Sequence, residues 1–191
     1  MRVRTAVSAG AAVFGLVVAC GAEAHPLHGS GGWSAGFAHP FLGWDHLLAM
    51  IAVGLWAAQL GGRALWALPA TFVSVMAGGA LLALNGVSLP HVESGIAASV
   101  LALGLLVAFA TRLPLGAGAA LVATFALFHG HSHGTELPNM VSGWTFGMGF
   151  AAATAFLHVS GIGIGRTLRA RAVQMAGGGV ALFGLSLLGG M

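Results

Sequence analysis

The chain has 191 residues, of which 58% are hydrophobic and only 6% charged, with a mean hydropathy of +0.94. Seven Arg, no Lys and four acidic residues cannot cover the surface of a water-soluble body of this size, so most of the exterior faces lipid and a soluble enzyme is excluded. The formal charge of +3 comes from Arg scattered singly between apolar runs, without a basic patch or stripe, and this excludes nucleic acid as a partner.

The N-terminus reads Met-Arg-Val-Arg, then an apolar stretch from Ala6 to Ala19, then Ala22-Glu23-Ala24. These are the charged, apolar and small-residue regions of a secretory signal peptide, so residues 1–24 are expected to be removed and His25 to begin the mature chain. Two other readings stay open. Val17-Val18-Ala19-Cys20 resembles a lipobox that would leave Cys20 lipidated, and the segment could also remain as an uncleaved anchor. Because Cys20 is the only cysteine, neither a disulfide within the chain nor a thiolate cage is available, and metal chemistry must use N and O ligands.

Beyond residue 24, apolar runs near the ~20 residues needed to cross a bilayer recur between short polar breaks. They predict an all-α integral membrane protein, with residues 25–191 forming one domain of six transmembrane helices over 37–60, 64–84, 94–110, 115–133, 140–163 and 172–190. Arg63, Arg112, Arg166, Arg169 and Arg171 all fall in alternate breaks, whereas the opposite breaks carry Glu93 and Glu136 and no Arg. The positive-inside rule then puts both mature termini outside the cytoplasm, in a bacterial inner membrane. Glycine, 32 of 191 residues with no collagen-like period, points to close helix packing. Small-xxx-small spacings occur at Gly143/Gly147 and Gly161/Gly165, with Gly179 and Gly184 further on. The first and fourth spans, both bearing His, occupy corresponding places in two three-helix halves.

Against this background stand nine His and one Asp within an apolar run. The segment His39-Pro-Phe-Leu-Gly-Trp-Asp45-His46 opens the first span. An ionisable group at membrane depth costs roughly 2.5–3.5 kcal/mol on insertion scales, so an Asp beside a His needs a compensating partner, and a cation is the simplest. On a regular helix His39 and His46 would share a face about 10 Å apart along the axis, and Pro40 and Gly43 can distort that turn further. Asp45 is either a direct ligand or a group that orients an imidazole. In Phe128-His129-Gly-His131-Ser-His133-Gly-Thr-Glu136, His129 and His133 stand i, i+4 on one face, the spacing that offers two imidazoles to one metal, while His131 points elsewhere. Glu93, two residues after His91, opens the third span. His158 inside the fifth span is either a satisfied intramembrane histidine or a pathway residue, and Met50 reads as packing. His25 and His28 could collect metal at the mature N-terminus.

The run His39-Pro-x-x-Gly43-x-Asp45-His46-x-x-Ala49-Met50-x-x-Val53-Gly54-x-x-Ala57, together with Phe128-His129-Gly-x-x-His133-Gly, resembles the HupE/UreJ family of bacterial nickel permeases. The His-x5-Asp-His order is also similar to the signature of the larger nickel/cobalt transporters, with one residue more between the first His and the Asp. The resemblance implies uptake of Ni²⁺, in some members Co²⁺, for hydrogenase or urease assembly, with no permanently bound cofactor. Carried over by motif, the metal-handling positions are His39, Asp45, His46, His129 and His133, with Glu93 and Glu136 as acids near the outer mouth. The other classes weighed are an intramembrane metal-dependent hydrolase and a non-transporting metal-binding accessory subunit. Besides the ion, the partner is the lipid bilayer, and a homo-oligomer is compatible with the sequence.

Overall fold

The computed structural model describes residues 32–137 and 143–190. The expected signal peptide, Cys20, His25, His28 and the turn around Pro138 lie outside these residues. All regular structure among the described residues is helical: α1 (Trp33–Ala38), a 3₁₀ turn (His39–Phe41), α2 (Trp44–Leu60), α3 (Ala64–Leu84), α4 (Val92–Ala108), α5 (Leu115–Glu136), α6 (Gly143–Thr167) and α7 (Ala170–Gly189).

The first predicted span is not one helix. Residues 33–41 and α2 meet at an angle of 84°. Pro40 fits the start of the 3₁₀ turn, where its missing N–H costs nothing, and Gly43 then takes an extended conformation that ends one helical ladder before the next begins. His39 therefore sits before the bend and His46 after it, rather than two turns apart on one straight face.

Helix α2 is the centre of the bundle. Met50, Ala52, Val53, Trp56 and Ala57 are fully buried, and α2 packs against α3, α4 and α6. Its C-terminal end is tied to the end of α4 and the turn after it by two polar side chains. Trp56 Nε1–H donates to Thr111 O and Gln59 Nε2–H donates to Val107 O, each at 2.9 Å. The other extensive pairs are α3 with α5 and α4 with α7. Exchanging the two three-helix halves turns the α2–α6 pair into the α5–α3 pair and maps α4–α7 onto itself, but the packing of α2 on α3 and α4 is not repeated by α5 on α6 and α7, so the correspondence between the halves holds for these pairs alone.

Among the described residues three helices, α3, α6 and α7, are long and apolar enough to cross a membrane, and the bent pair of 33–41 with α2 adds a fourth if taken as one span. Helix α4 is apolar but has 17 residues. Helix α5 has 22 residues, but its last two turns carry three His, Gly130, Ser132, Thr135 and Glu136 in place of lipid-compatible side chains. Six complete spans is thus a larger statement than helix length and apolarity make.

Arg112 lines a cavity of about 290 Å³ with Gln59, Gly165 and Gln174, where the ends of α2, α4 and α6 meet the start of α7. Glu93 and Glu136 line a second cavity, at the end where α2 and α4 begin and α5 ends. Charge is therefore segregated between the two ends. Reporter fusions after Arg63, Arg112 and Arg169 should read cytoplasmic and fusions near Pro90 and Pro138 exported; a cytoplasmic signal at Pro138 would overturn this orientation.

Candidate metal site

The second cavity, about 250 Å³, is lined by His39, Gly43, Asp45, His46, Glu93, Ser132, His133 and Glu136, among others. Four imidazoles form a chain leading inward from it. The His39 and His133 ring centroids are 5.0 Å apart, those of His133 and His46 4.2 Å, and those of His46 and His129 4.7 Å. The bend at Gly43 makes this chain possible, because it folds His39 back over the end of α5. The i, i+4 spacing on α5 then places His133 against His39 and His46, and His129 one turn deeper.

The proton inventory on these rings follows from their partners. Asp45 Oδ1 accepts both the His46 backbone N–H and His46 Nδ1–H, each at 2.8 Å. His46 Nε2 is left buried, without a hydrogen-bond partner and with a free lone pair. The geometry thus gives Asp45 the orienting role for this oxygen: it fixes the tautomer and aim of a neighbouring imidazole, as carboxylates do behind metal-binding histidines. Gly43 leaves room for this pair, since a Cβ there would lie 2.8 Å from Asp45 Oδ1 and 3.2 Å from His46 Nδ1.

The same reasoning applies to His129, which is fully buried. The Ser99 hydroxyl donates to Ile96 O at 2.6 Å, so its oxygen accepts His129 Nε2–H at 2.8 Å. This leaves His129 Nδ1 with a lone pair and no partner. Two independent hydrogen-bond chains, one from a carboxylate and one from a hydroxyl, therefore each leave one bare nitrogen on adjacent rings.

At the mouth, His39 Nε2–H donates to Glu136 Oε2 at 3.3 Å, and the same oxygen lies 3.6 Å from His133 Nδ1. One ligand atom from each of His39, His133 and Glu136 falls within 4.8 Å of the others, close enough for small movements to gather them on one ion. The apolar wall is aromatic: Phe150 meets the His133 ring at 4.1 Å, and Phe146 and Phe150 flank His39.

The expected residues are not all brought together. His133 is buried between His39 and His46, on the face of α5 that also carries His129, as the i, i+4 spacing indicated. His131 is turned away, as its place on the helix required, and its Nε2–H donates to Val87 O at 2.8 Å. It ties α5 to the loop after α3 and takes no part in the cluster. Glu93 reaches the cavity wall but not the imidazole–carboxylate contacts. Ser99 and the Phe walls were not foreseen, because a single hydroxyl or Phe in an apolar helix has the same sequence pattern whether it packs or positions a ligand. Replacing Ser99 by alanine leaves His129 Nε2–H without an acceptor and its tautomer free. The affinity of the purified protein for a divalent transition-metal ion should fall about tenfold; an unchanged affinity would remove Ser99 from the site.

A bundle of apolar helices with an inward chain of histidines, one of them backed by a carboxylate, has the ligand chemistry of a metal-handling membrane protein. The comparisons with known proteins agree. The HupE / UreJ protein family matches residues 9–187. Protein HupE of Rhizobium leguminosarum bv. viciae is 50% identical over 173 residues, covering 88% of this chain and 91% of that protein. The chain belongs to the HupE/UreJ family, as its two motifs indicated. No solved structure matches it.

Proposed function

We propose that this chain is a permease that carries Ni²⁺, and Co²⁺ as a secondary ion, inward across the bacterial cytoplasmic membrane to supply hydrogenase or urease assembly. The domain plan belongs to this reading: a signal peptide over 1–24, six spans over 25–191, and both mature termini outside. Membership in a family associated with nickel transport supports the substrate class. The observation that carries the reading is the pair of bare nitrogens, His46 Nε2 and His129 Nδ1, on adjacent buried rings.

In this reading Glu93 and Glu136 draw the cation to the mouth. His39, His133 and Glu136 take it as it sheds water, and His46 and His129 bind it next, with Asp45 supplying charge from behind. Imidazole nitrogens beside a carboxylate suit Ni²⁺, Co²⁺, Zn²⁺ and Cu²⁺ alike, whereas Mg²⁺ and Ca²⁺ prefer all-oxygen ligand sets. A few mixed N/O ligands also hold an ion weakly enough to release it, which conduction requires. The hydrolase alternative needs an acid or serine poised over an open coordination position. Beside the His46/His129 pair, Ser99 instead spends its proton on Ile96 O and its oxygen on His129, and Asp45 Oδ1 is held by His46, while Glu136 stands at the mouth with its Oε2 against His39 and His133. The test is isotopic nickel uptake into proteoliposomes, with cobalt and zinc as competitors. Saturable uptake above empty vesicles, competed by cobalt and not by magnesium, is expected; uptake no greater than in empty vesicles would overturn the proposal.

A further inference from the structure

His158 lies outside the cavity and outside both motifs, yet it is fully buried and neither of its ring nitrogens has a hydrogen-bond partner. Leaving a buried polar group unsatisfied costs about 1–3 kcal/mol, so an imidazole here is a liability to the resting bundle. Its surroundings indicate what would offset that cost. The His158 ring meets the ring of Phe72 on α3 edge-on at 5.1 Å, and the same Phe72 ring is 5.6 Å from His129. One aromatic side chain, Phe72, thus touches both His158 and the most deeply buried imidazole of the cluster.

One helical turn from His158 on α6 is Thr154, also fully buried, and one turn from Phe72 on α3 is Met76. The Thr154 hydroxyl donates to Met76 Sδ at 3.9 Å, a weak partner that a cation could displace. The facing turns of α3 and α6 therefore hold an imidazole, a hydroxyl and a thioether in one buried patch. His158 is twelve residues along α6 from Phe146, which flanks His39 at the mouth, or roughly 18 Å along the helix axis.

We propose that His158, with Met76 and Thr154, forms a second, deeper binding station for a divalent transition-metal ion, reached past Phe72 from the His46/His129 pair. The proposal rests on the permease reading above and extends its path inward. Nitrogen and thioether donors favour borderline and soft ions and offer nothing to Mg²⁺ or Ca²⁺. The patch contains no carboxylate, so an ion there keeps its full charge and is held more weakly than at the mouth. Two stations of unequal strength in series let an ion enter a strong site and leave from a weak one.

The test is the nickel stoichiometry of the purified full-length protein in lipid nanodiscs, by equilibrium dialysis against NiCl₂. His158→Leu should bind one Ni²⁺ fewer than the wild type, with the affinity of the tightest ion unchanged within about threefold. Ions held adventitiously by the N-terminal histidines are common to both proteins and cancel in the difference. Met76→Leu, which keeps the packing, should retain the ion number and weaken the loosest ion at least fivefold, so the proposal stays testable even if His158→Leu does not fold. Equal ion numbers in wild type and His158→Leu, or a Met76→Leu titration identical to wild type, would overturn the second station. If the tightest ion is nevertheless lost in His46→Ala, the permease reading survives that failure; a wild type that binds no nickel would end both.

Discussion

His46→Ala should reduce nickel uptake at least about 100-fold while the protein still inserts and accumulates. Among the described residues His46 is the one imidazole in contact with both His129 and His133, so its loss breaks the chain of ligands in the middle. It would also leave Asp45, half-buried in the first turn of α2, without its imidazole partner, adding an uncompensated carboxylate to a missing ligand. Asp45→Asn tests the positioning role separately. It keeps an oxygen beside His46 Nδ1 but removes the charge, and changes of this kind behind metal ligands cost about 10–100-fold in affinity or activity. The pair should be strongly non-additive: once His46 is alanine, Asp45→Asn has nothing left to orient and should lower uptake by less than about threefold more. Uptake by His46→Ala within a few-fold of wild type would remove this imidazole from the path. Full uptake by Asp45→Asn would show that the carboxylate's charge is not needed there.

What the sequence carried and what it withheld divide along one line. Residue type and spacing within a helix were legible. The i, i+4 pair His129/His133 does share a face, and His131, two residues from each, does point away. The all-helical architecture was legible too, because the apolar runs are long and polar breaks separate them. What depends on direction between helices was not. The extended conformation of Gly43 turns an expected straight span through 84° and brings His39 over His133, but Pro-x-x-Gly in a sequence fits a kink, a break or an ordinary helix start equally well. The division of labour at Asp45 required knowing which imidazole nitrogen its oxygen meets. His158 stayed ambiguous for the same reason, since a histidine in an apolar run looks the same whether or not its nitrogens find partners.

Glycine spacing shows the same division most sharply and yields the second large effect. Gly143/Gly147 and Gly161/Gly165 are identical small-xxx-small patterns on one helix, α6. A Cβ added at Gly143 or Gly147 meets nothing within 4 Å, so that pair faces open space. A Cβ at Gly161 would run into the Ile51 carbonyl oxygen and lie 3.0 Å from Gly54 Cα, and one at Gly54 would strike the His158 carbonyl oxygen. Here α2 and α6 cross backbone to backbone, with no flexible side chain in the way to yield. Gly54→Leu must therefore push the two helices apart. Overpacking a core costs typically 1–3 kcal/mol when side chains can rearrange, and more where, as here, backbone must move. The helix that shifts carries His46 at one end and contacts the segment bearing His158, so separation should also open the ligand chain. Gly54→Leu is expected to cut the amount of folded protein recovered in the membrane at least tenfold and to leave the remainder without uptake. Gly147→Leu, the same substitution at the same spacing on the open face, should leave both within about twofold of wild type. Comparable recovery of the two variants, measured by fluorescence-detected size exclusion, would mean that α2 and α6 do not cross at Gly54.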